Sequence, residues 1–280
     1  MLKIPDALVD CHWLHQHLDD ENLIVLDATL PKVTNKGKEE IQHDVEIPKA
    51  RFFDIKNLFS EENAPFPNTL LTPEKFEQRA RELGVNNDSG IVVYDIHGVY
   101  SSPRVWWMFK AMGLDNVAVL NGGLPKWISE GYKTEEKKDK NPTTGNFTAK
   151  YNSRLFVDAP YVLNSLNKLE EQILDARSLS RFQGQSPEPR KGVRSGHIPN
   201  SKSLPYASVL KGSELRSKEE LKSLYQQVNQ EDKPMVFSCG SGITACVLAL
   251  GATIAGYNQL TVYDGSWTEW GSLHDLPIEV

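Results

Sequence analysis

Cys239 closes the apolar run Met235-Val236-Phe237-Ser238 and is followed by Gly240-Ser241-Gly242-Ile243-Thr244. Ligands of an open α/β sheet bind beyond the carboxyl ends of its strands, so a cysteine at the end of such a run stands where chemistry is done. Two glycines let the backbone curl with successive N–H groups turned inward. A helix starting at about Ile243 adds its positive end, and the combination is a nest for an anion. The same field favours thiolate over thiol, so it lowers the cysteine pKa and raises its reactivity. Ser241 and Thr244 add hydroxyl donors. A buried core role suits Cys239 poorly but suits Cys246, seven residues on along the same helix between Ala245 and Val247. Cys11 has no supporting context and reads as structural.

Spacing excludes several chemistries. A cysteine phosphatase needs Cys, five residues, then an Arg that forks onto the phosphate; that position is Ala245. The three cysteines lack CxxC spacing, so neither a zinc site nor a disulfide scaffold is indicated. No metal and no organic cofactor is expected. Positive charge near the nucleophile comes from Arg177, Arg181, Arg190 and Arg194, set among Gly and Pro between Asp175 and Pro199. Loop arginines can grip a carboxylate bidentately; composition alone does not separate that role from a structural ion pair.

These residues need a frame, and an internal repeat supplies it. Leu23–Ala28 matches Gln172–Arg177, Ile47-Pro48 matches Ile198-Pro199, Ile91–Asp95 matches Met235–Cys239, and Asn121–Trp127 matches Asp264–Trp270. The offsets are 175−27 = 148, 199−48 = 151, 239−95 = 144 and 270−127 = 143. Four landmarks in one order at nearly one spacing indicate one domain written twice. The predicted division is 1–135, a polar linker over 136–150, and 151–280. In the first copy Ile91–Tyr94 and Val117–Leu120 read as strands. Ser102-Pro103 reads as the cap and first turn of a helix that runs through Met112 and is stopped by Gly113. Thr72-Pro73-Glu74 opens another helix, ending near Gly84. In the second copy Ser217 and Glu220 form a capping box, and a strand at Met235–Ser238 precedes the helix from about Ile243. Strands alternating with helices predict an α/β fold with a mostly parallel sheet in each copy.

Composition sets the outer limits. The 280 residues carry 31 Lys+Arg against 37 Asp+Glu, a net charge of −6, with no basic cluster. That excludes an electrostatic footprint for nucleic acid. The longest apolar stretch, Ile243–Gly256, is too short to span a membrane. Met1–Asp6 lacks an apolar or Arg-rich targeting pattern, so a cytoplasmic location is expected.

The motifs together resemble the tandem rhodanese-type sulfurtransferases, and most nearly the 3-mercaptopyruvate sulfurtransferases. In the first copy the resemblance rests on Ile47-Pro48, Phe52-Phe53-Asp54, Tyr94-Asp95, Ser101–Trp107 and Asn121-Gly122-Gly123. In the second it rests on Asp175-Ala176-Arg177, Arg181–Gly184, Pro187–Arg190, Ser195–Pro199, Cys239–Thr244 and Tyr263–Trp270. It implies two rhodanese-like domains and a persulfide on Cys239, held by Gly240, Ser241, Gly242, Ile243 and Thr244. The first domain, with Asp95 at the matching position, is implied to be inactive. By motif Arg181 and Arg190 bind the carboxylate and keto groups of the donor, while Arg177 and Arg194 are left as structural. The neutral Gly240-Ser241 pair follows the mercaptopyruvate-using pattern; thiosulfate-preferring members place basic side chains there. Glu46 stands where many members carry a His, so a His–Ser relay through Ser241 is not expected from that position. The implied partners are a small-molecule sulfur donor and an acceptor thiol or cyanide, with a thioredoxin-like protein as one candidate acceptor. A thiosulfate sulfurtransferase, or a non-catalytic persulfide carrier, are the alternatives.

Overall fold

The computed structural model is described here for residues 2–32 and 44–280. The chain divides into two compact units. One comprises Met1–Glu61, Leu70–Asn152 and Gly212–Leu215; the other comprises Glu62–Thr69, Ser153–Lys211 and Arg216–Val280.

The first unit holds a five-stranded sheet in the spatial order Leu8–Val9, Val117–Leu120, Gly90–Tyr94, Leu23–Asp27, Arg51–Phe52. All neighbouring pairs are parallel. The second unit's sheet runs Phe156–Val157, Leu260–Tyr263, Met235–Ser238, Gln172–Asp175, Lys202–Ser203, again with every pair parallel. Strand for strand this is one topology, and the register matches as well. Asp27 pairs with Tyr94, and Asp175 pairs with Ser238. The residues that follow the central strands, Asp95 and Cys239, are therefore structural equivalents.

Both central strands are buried along their whole length, as parallel strands covered on both faces must be. Val92, Tyr94, Ala118 and Trp127 belong to the first core; Ile173, Val236, Tyr263 and Trp267 belong to the second. The helix Thr244–Ala255 is apolar all round and nine of its residues are buried, which fits a helix enclosed by its own unit. The helices predicted from caps form where expected. Thr72 Oγ1 accepts from the Lys75 N–H, and Ser217 and Glu220 close a reciprocal capping box. The stretch 136–150 is not merely polar: Phe147 is buried against Phe76 and Phe109, and its N–H donates to Val85 O at 3.0 Å. Its polar composition hid this packing.

The start of the helix Ser102–Ala111 differs from the sequence expectation. Ser102 is inside the helix, and the capping residue Ser101 makes no side-chain capping bond. The fully buried Asp95 carboxylate does that work from seven residues away. Its Oδ1 accepts from His97 N–H at 2.9 Å. Its Oδ2 accepts from the N–H groups of Tyr100, Ser101 and Ser102 at 2.9, 3.0 and 2.9 Å, and from Ser102 Oγ at 2.7 Å. The loop and helix end form an anion nest whose anion is built into the chain. Replacing Asp95 by Ala leaves these donors unpaired in a buried site. We expect a loss of about 2–4 kcal/mol of stability, read by chemical denaturation, with Asp95→Asn losing less because it keeps an acceptor oxygen.

Candidate active site

Cys239 lies at the carboxyl end of Met235–Ser238 and is 1% exposed. Gly242, at φ +76°, turns the loop back into the helix that begins at Thr244. This loop has two residues fewer than its first-copy equivalent: the helix starts five residues after Cys239 and seven after Asp95.

The segment Ser266–Thr268 clamps the cysteine from behind. Trp267 N–H donates to Cys239 O at 2.9 Å, and Thr268 N–H donates to Gly240 O at 2.9 Å. The Thr268 hydroxyl donates to that same Gly240 carbonyl. Cys239 N–H donates to Ser266 Oγ at 3.1 Å, and the hydroxyl in turn donates to Tyr263 O at 2.8 Å, lying 3.9 Å from Cys239 Sγ. Ser266 adopts φ +50°, which L-residues reach only at a cost of about 1 kcal/mol. Its first-copy equivalent is Gly123, at φ +53°. A Cβ there would come within 2.3 Å of Asp95 O, so only glycine fits. The second copy puts a serine in that strained position and uses its hydroxyl under the thiol.

Two of the four candidate arginines converge on the loop. A Cβ at Gly240 would sit 3.3 Å from Arg181 Nη2 and 3.9 Å from Arg190 Nη1, so glycine keeps open the space both guanidiniums face. Arg190 donates to Thr268 Oγ1 at 3.2 Å and to Ser241 Oγ at 3.3 Å. Arg181 is held by Glu188, through Nε at 3.2 Å and Nη2 at 2.5 Å. The other two are structural. Arg177 is buried, chelated by Asp175, bonded to Glu188 at 2.8 Å and to Gly196 O at 2.8 Å, and it stacks 4.4 Å from the Trp267 ring. Arg194 donates to the carbonyls of Trp270, Gly271, Leu273 and Leu276.

The other cysteines, His197 and Glu46 have structural surroundings. Cys246 is buried in the helix with Sγ 3.3 Å from Gly242 O. Burial, with Glu130 next in effect, pushes the Cys11 thiol up to about 12, which keeps it protonated and inert. His197 stacks on Phe182 and bonds its carbonyl at 2.9 Å. Glu46 is buried and pairs with Lys140 at 2.6 Å, so it serves the first unit as a structural anion. A polar hollow of about 850 Å³, lined by residues such as Lys222, Asn229 and Tyr257, lies at the opposite end of the central strand and contains no thiol.

The rhodanese-like domain family matches this chain twice, over residues 10–130 and 158–273. The chain belongs to the rhodanese family. Among relatives of this rhodanese, the thiosulfate/3-mercaptopyruvate sulfurtransferase 1 of Arabidopsis thaliana is 39% identical, over 98% of this chain and 78% of its own length. The 3-mercaptopyruvate sulfurtransferase of Escherichia coli is 37% identical over 97% of both chains. Among solved structures, SseA from Escherichia coli, a 3-mercaptopyruvate sulfotransferase, superposes with a TM-score of 0.83 at 33% identity, covering 94% of this chain and 99% of its own. Among the described residues, no helix is long and apolar enough to cross a membrane.

Four residues of this rhodanese site were not singled out from sequence. Glu188, Ser266 and Thr268 lie inside motifs but carry no pattern that assigns them a role. Asn68 donates through Nδ2 to Ser241 Oγ at 3.0 Å and had no signal at all. Glu188 offers the sharpest test, because its 4%-exposed carboxylate pairs with both Arg177 and Arg181. Glu188→Gln leaves excess buried positive charge. We expect about 2–4 kcal/mol of destabilisation by chemical denaturation, together with a fall in activity as Arg181 loses its orientation.

Proposed function

We propose that this chain is a 3-mercaptopyruvate sulfurtransferase that carries sulfur as a persulfide on Cys239. The observation that supports this most strongly is the approach of Arg181 and Arg190 to Gly240, directly after a cysteine at a strand end. A nucleophile, a helix N-terminus and two fixed cations then share one small volume. That suits a substrate bearing a carboxylate, a keto oxygen and a transferable sulfur.

The reaction divides into two displacements. Arg181 and Arg190 orient the donor through its carboxylate and keto groups. The Cys239 thiolate attacks the donor sulfur; the new S–S bond forms as the carbon–sulfur bond breaks. The electron pair of that bond passes into the keto group as an enolate, whose oxyanion the arginines stabilise, and protonation gives pyruvate. The persulfide rests against the N–H groups of Gly240 to Thr244. The first copy supports this role by analogy, since its equivalent loop gathers backbone N–H groups onto the Asp95 carboxylate. An acceptor thiolate, or cyanide, then takes the outer sulfur and returns Cys239 as thiolate, so the cycle is ping-pong.

In this reading residues 151–280 form the catalytic domain. Residues 1–135 form an inactive one, because a carboxylate cannot carry sulfane sulfur, and 136–150 connect them. A thioredoxin-like dithiol in the cytoplasm is the proposed physiological acceptor. Thiosulfate is the second donor to test, since the Arabidopsis relative is named for both.

Cys239→Ser is expected to abolish turnover while Cys246→Ser keeps most of it; comparable losses in both would sink the assignment. Intact mass after exposure to 3-mercaptopyruvate should show a single added sulfur, located on the Cys239 peptide. Arg190→Ala is expected to lower kcat/KM for 3-mercaptopyruvate by about 100-fold, and for thiosulfate far less, because the lost bond is charge-assisted and directed at a carboxylate or keto oxygen. Equal losses for both donors would argue against that placement.

A further inference from the structure

Ser241 is the loop hydroxyl with the most constrained surroundings. Asn68 Nδ2 lies 3.0 Å from its Oγ and 3.2 Å from its backbone O. A carbonyl only accepts, so the Asn68 amide must turn its NH2 toward Ser241, and both contacts are donated by Asn68. Arg190 Nη2 donates to the same Oγ at 3.3 Å, and a guanidinium has no acceptor. A hydroxyl oxygen has two lone pairs and one hydrogen. Here both lone pairs are taken, and no described protein group accepts the hydrogen.

We propose that Asn68 is a positioning residue that reserves the Ser241 hydroxyl as a hydrogen-bond donor to the anion bound beside Cys239. This rests on the sulfurtransferase reading. In this orientation the amide offers Ser241 no acceptor, so the pair supplies a fixed donor and not a base. Charge that develops on the donor molecule as its carbon–sulfur bond breaks meets a hydroxyl already turned away from its own neighbours. The segment Glu62–Thr69, which carries Asn68, packs with the second unit although the residues on either side of it belong to the first. Asn68 itself has φ +62°, a region where Asn, Asp and Gly are favoured over other residues.

That backbone preference sets the test. Asn68→Asp and Asn68→Gly both suit the local conformation. The aspartate keeps the shape but replaces the donor with an acceptor, so the Ser241 hydroxyl turns to it and is withdrawn from the substrate. The glycine only frees the hydroxyl to rotate. With 3-mercaptopyruvate and saturating acceptor, Asn68→Asp is expected to lose about 10- to 100-fold in kcat, and Asn68→Gly less than about 10-fold. KM should stay within about threefold, because the bond is strengthened only as charge develops. In a Ser241→Ala background neither substitution should lower activity further. Equal losses for the aspartate and glycine variants, losses confined to KM, or losses that persist without the Ser241 hydroxyl would overturn the proposal. The sulfurtransferase reading fails separately, if the unsubstituted protein gains no sulfur on Cys239 by intact mass.

Discussion

A negative charge at the carboxyl end of a buried central strand has to be met by donors, and the first copy of this domain is built around that requirement. In the first copy the charge is the Asp95 carboxylate, which gathers four backbone N–H groups and one hydroxyl and so caps a helix. The second copy has Cys239 at the equivalent place, a shorter loop, and guanidiniums where the first copy has none described. A permanent internal anion makes the first site a closed structural unit. The second copy has a thiol side chain, Cys239, in that place and Arg181 and Arg190 beside the following glycine. Against a net charge of −6 for the chain, the positive charge at this strand end is local, from Arg181 and Arg190.

Holding two arginines in place carries its own requirement. Asp175 and Glu188 face Arg177 and Arg181, two charges of each sign, almost wholly buried. Such a network is costly to desolvate and adds little net stability. Its effect is geometric: Glu188 orients Arg181 toward Gly240, and Arg177 is packed against Trp267, next to the clamp that fixes Cys239 and Gly240. The strained serine at 266 belongs to the same arrangement. Strain of this kind persists where surrounding contacts over-determine the conformation, and here three hydrogen bonds do so.

Much of this was legible in the residues. Continuous apolar runs read as the central strands because strands buried on both faces carry no alternation to confuse them. Thr72 and Ser217 read as caps because capping is local. Local logic failed at Ser102, since the cap of that helix is a carboxylate seven residues back. It failed again at Phe147, a single aromatic in a polar stretch whose partners Phe76 and Phe109 are far away in sequence. Glu46 and Lys140 likewise carry no local signal of pairing in sequence, yet in the fold a half-buried Lys140 meets the buried Glu46 carboxylate.

By itself the sequence determined the duplication, the parallel α/β architecture, the place of Cys239 at a strand end and of Cys246 inside the following helix, and the resemblance that raised Arg181 and Arg190 above their neighbours. These depend on periodicity, spacing and residues within one motif. Only the tertiary structure decided that Arg177 is chelated and Arg194 caps carbonyls, that Ser266 and Thr268 brace Cys239 and Gly240, and that Asn68 faces Ser241. Those contacts join residues as many as 173 positions apart, and a hydrogen bond over that separation leaves no periodic trace in the chain.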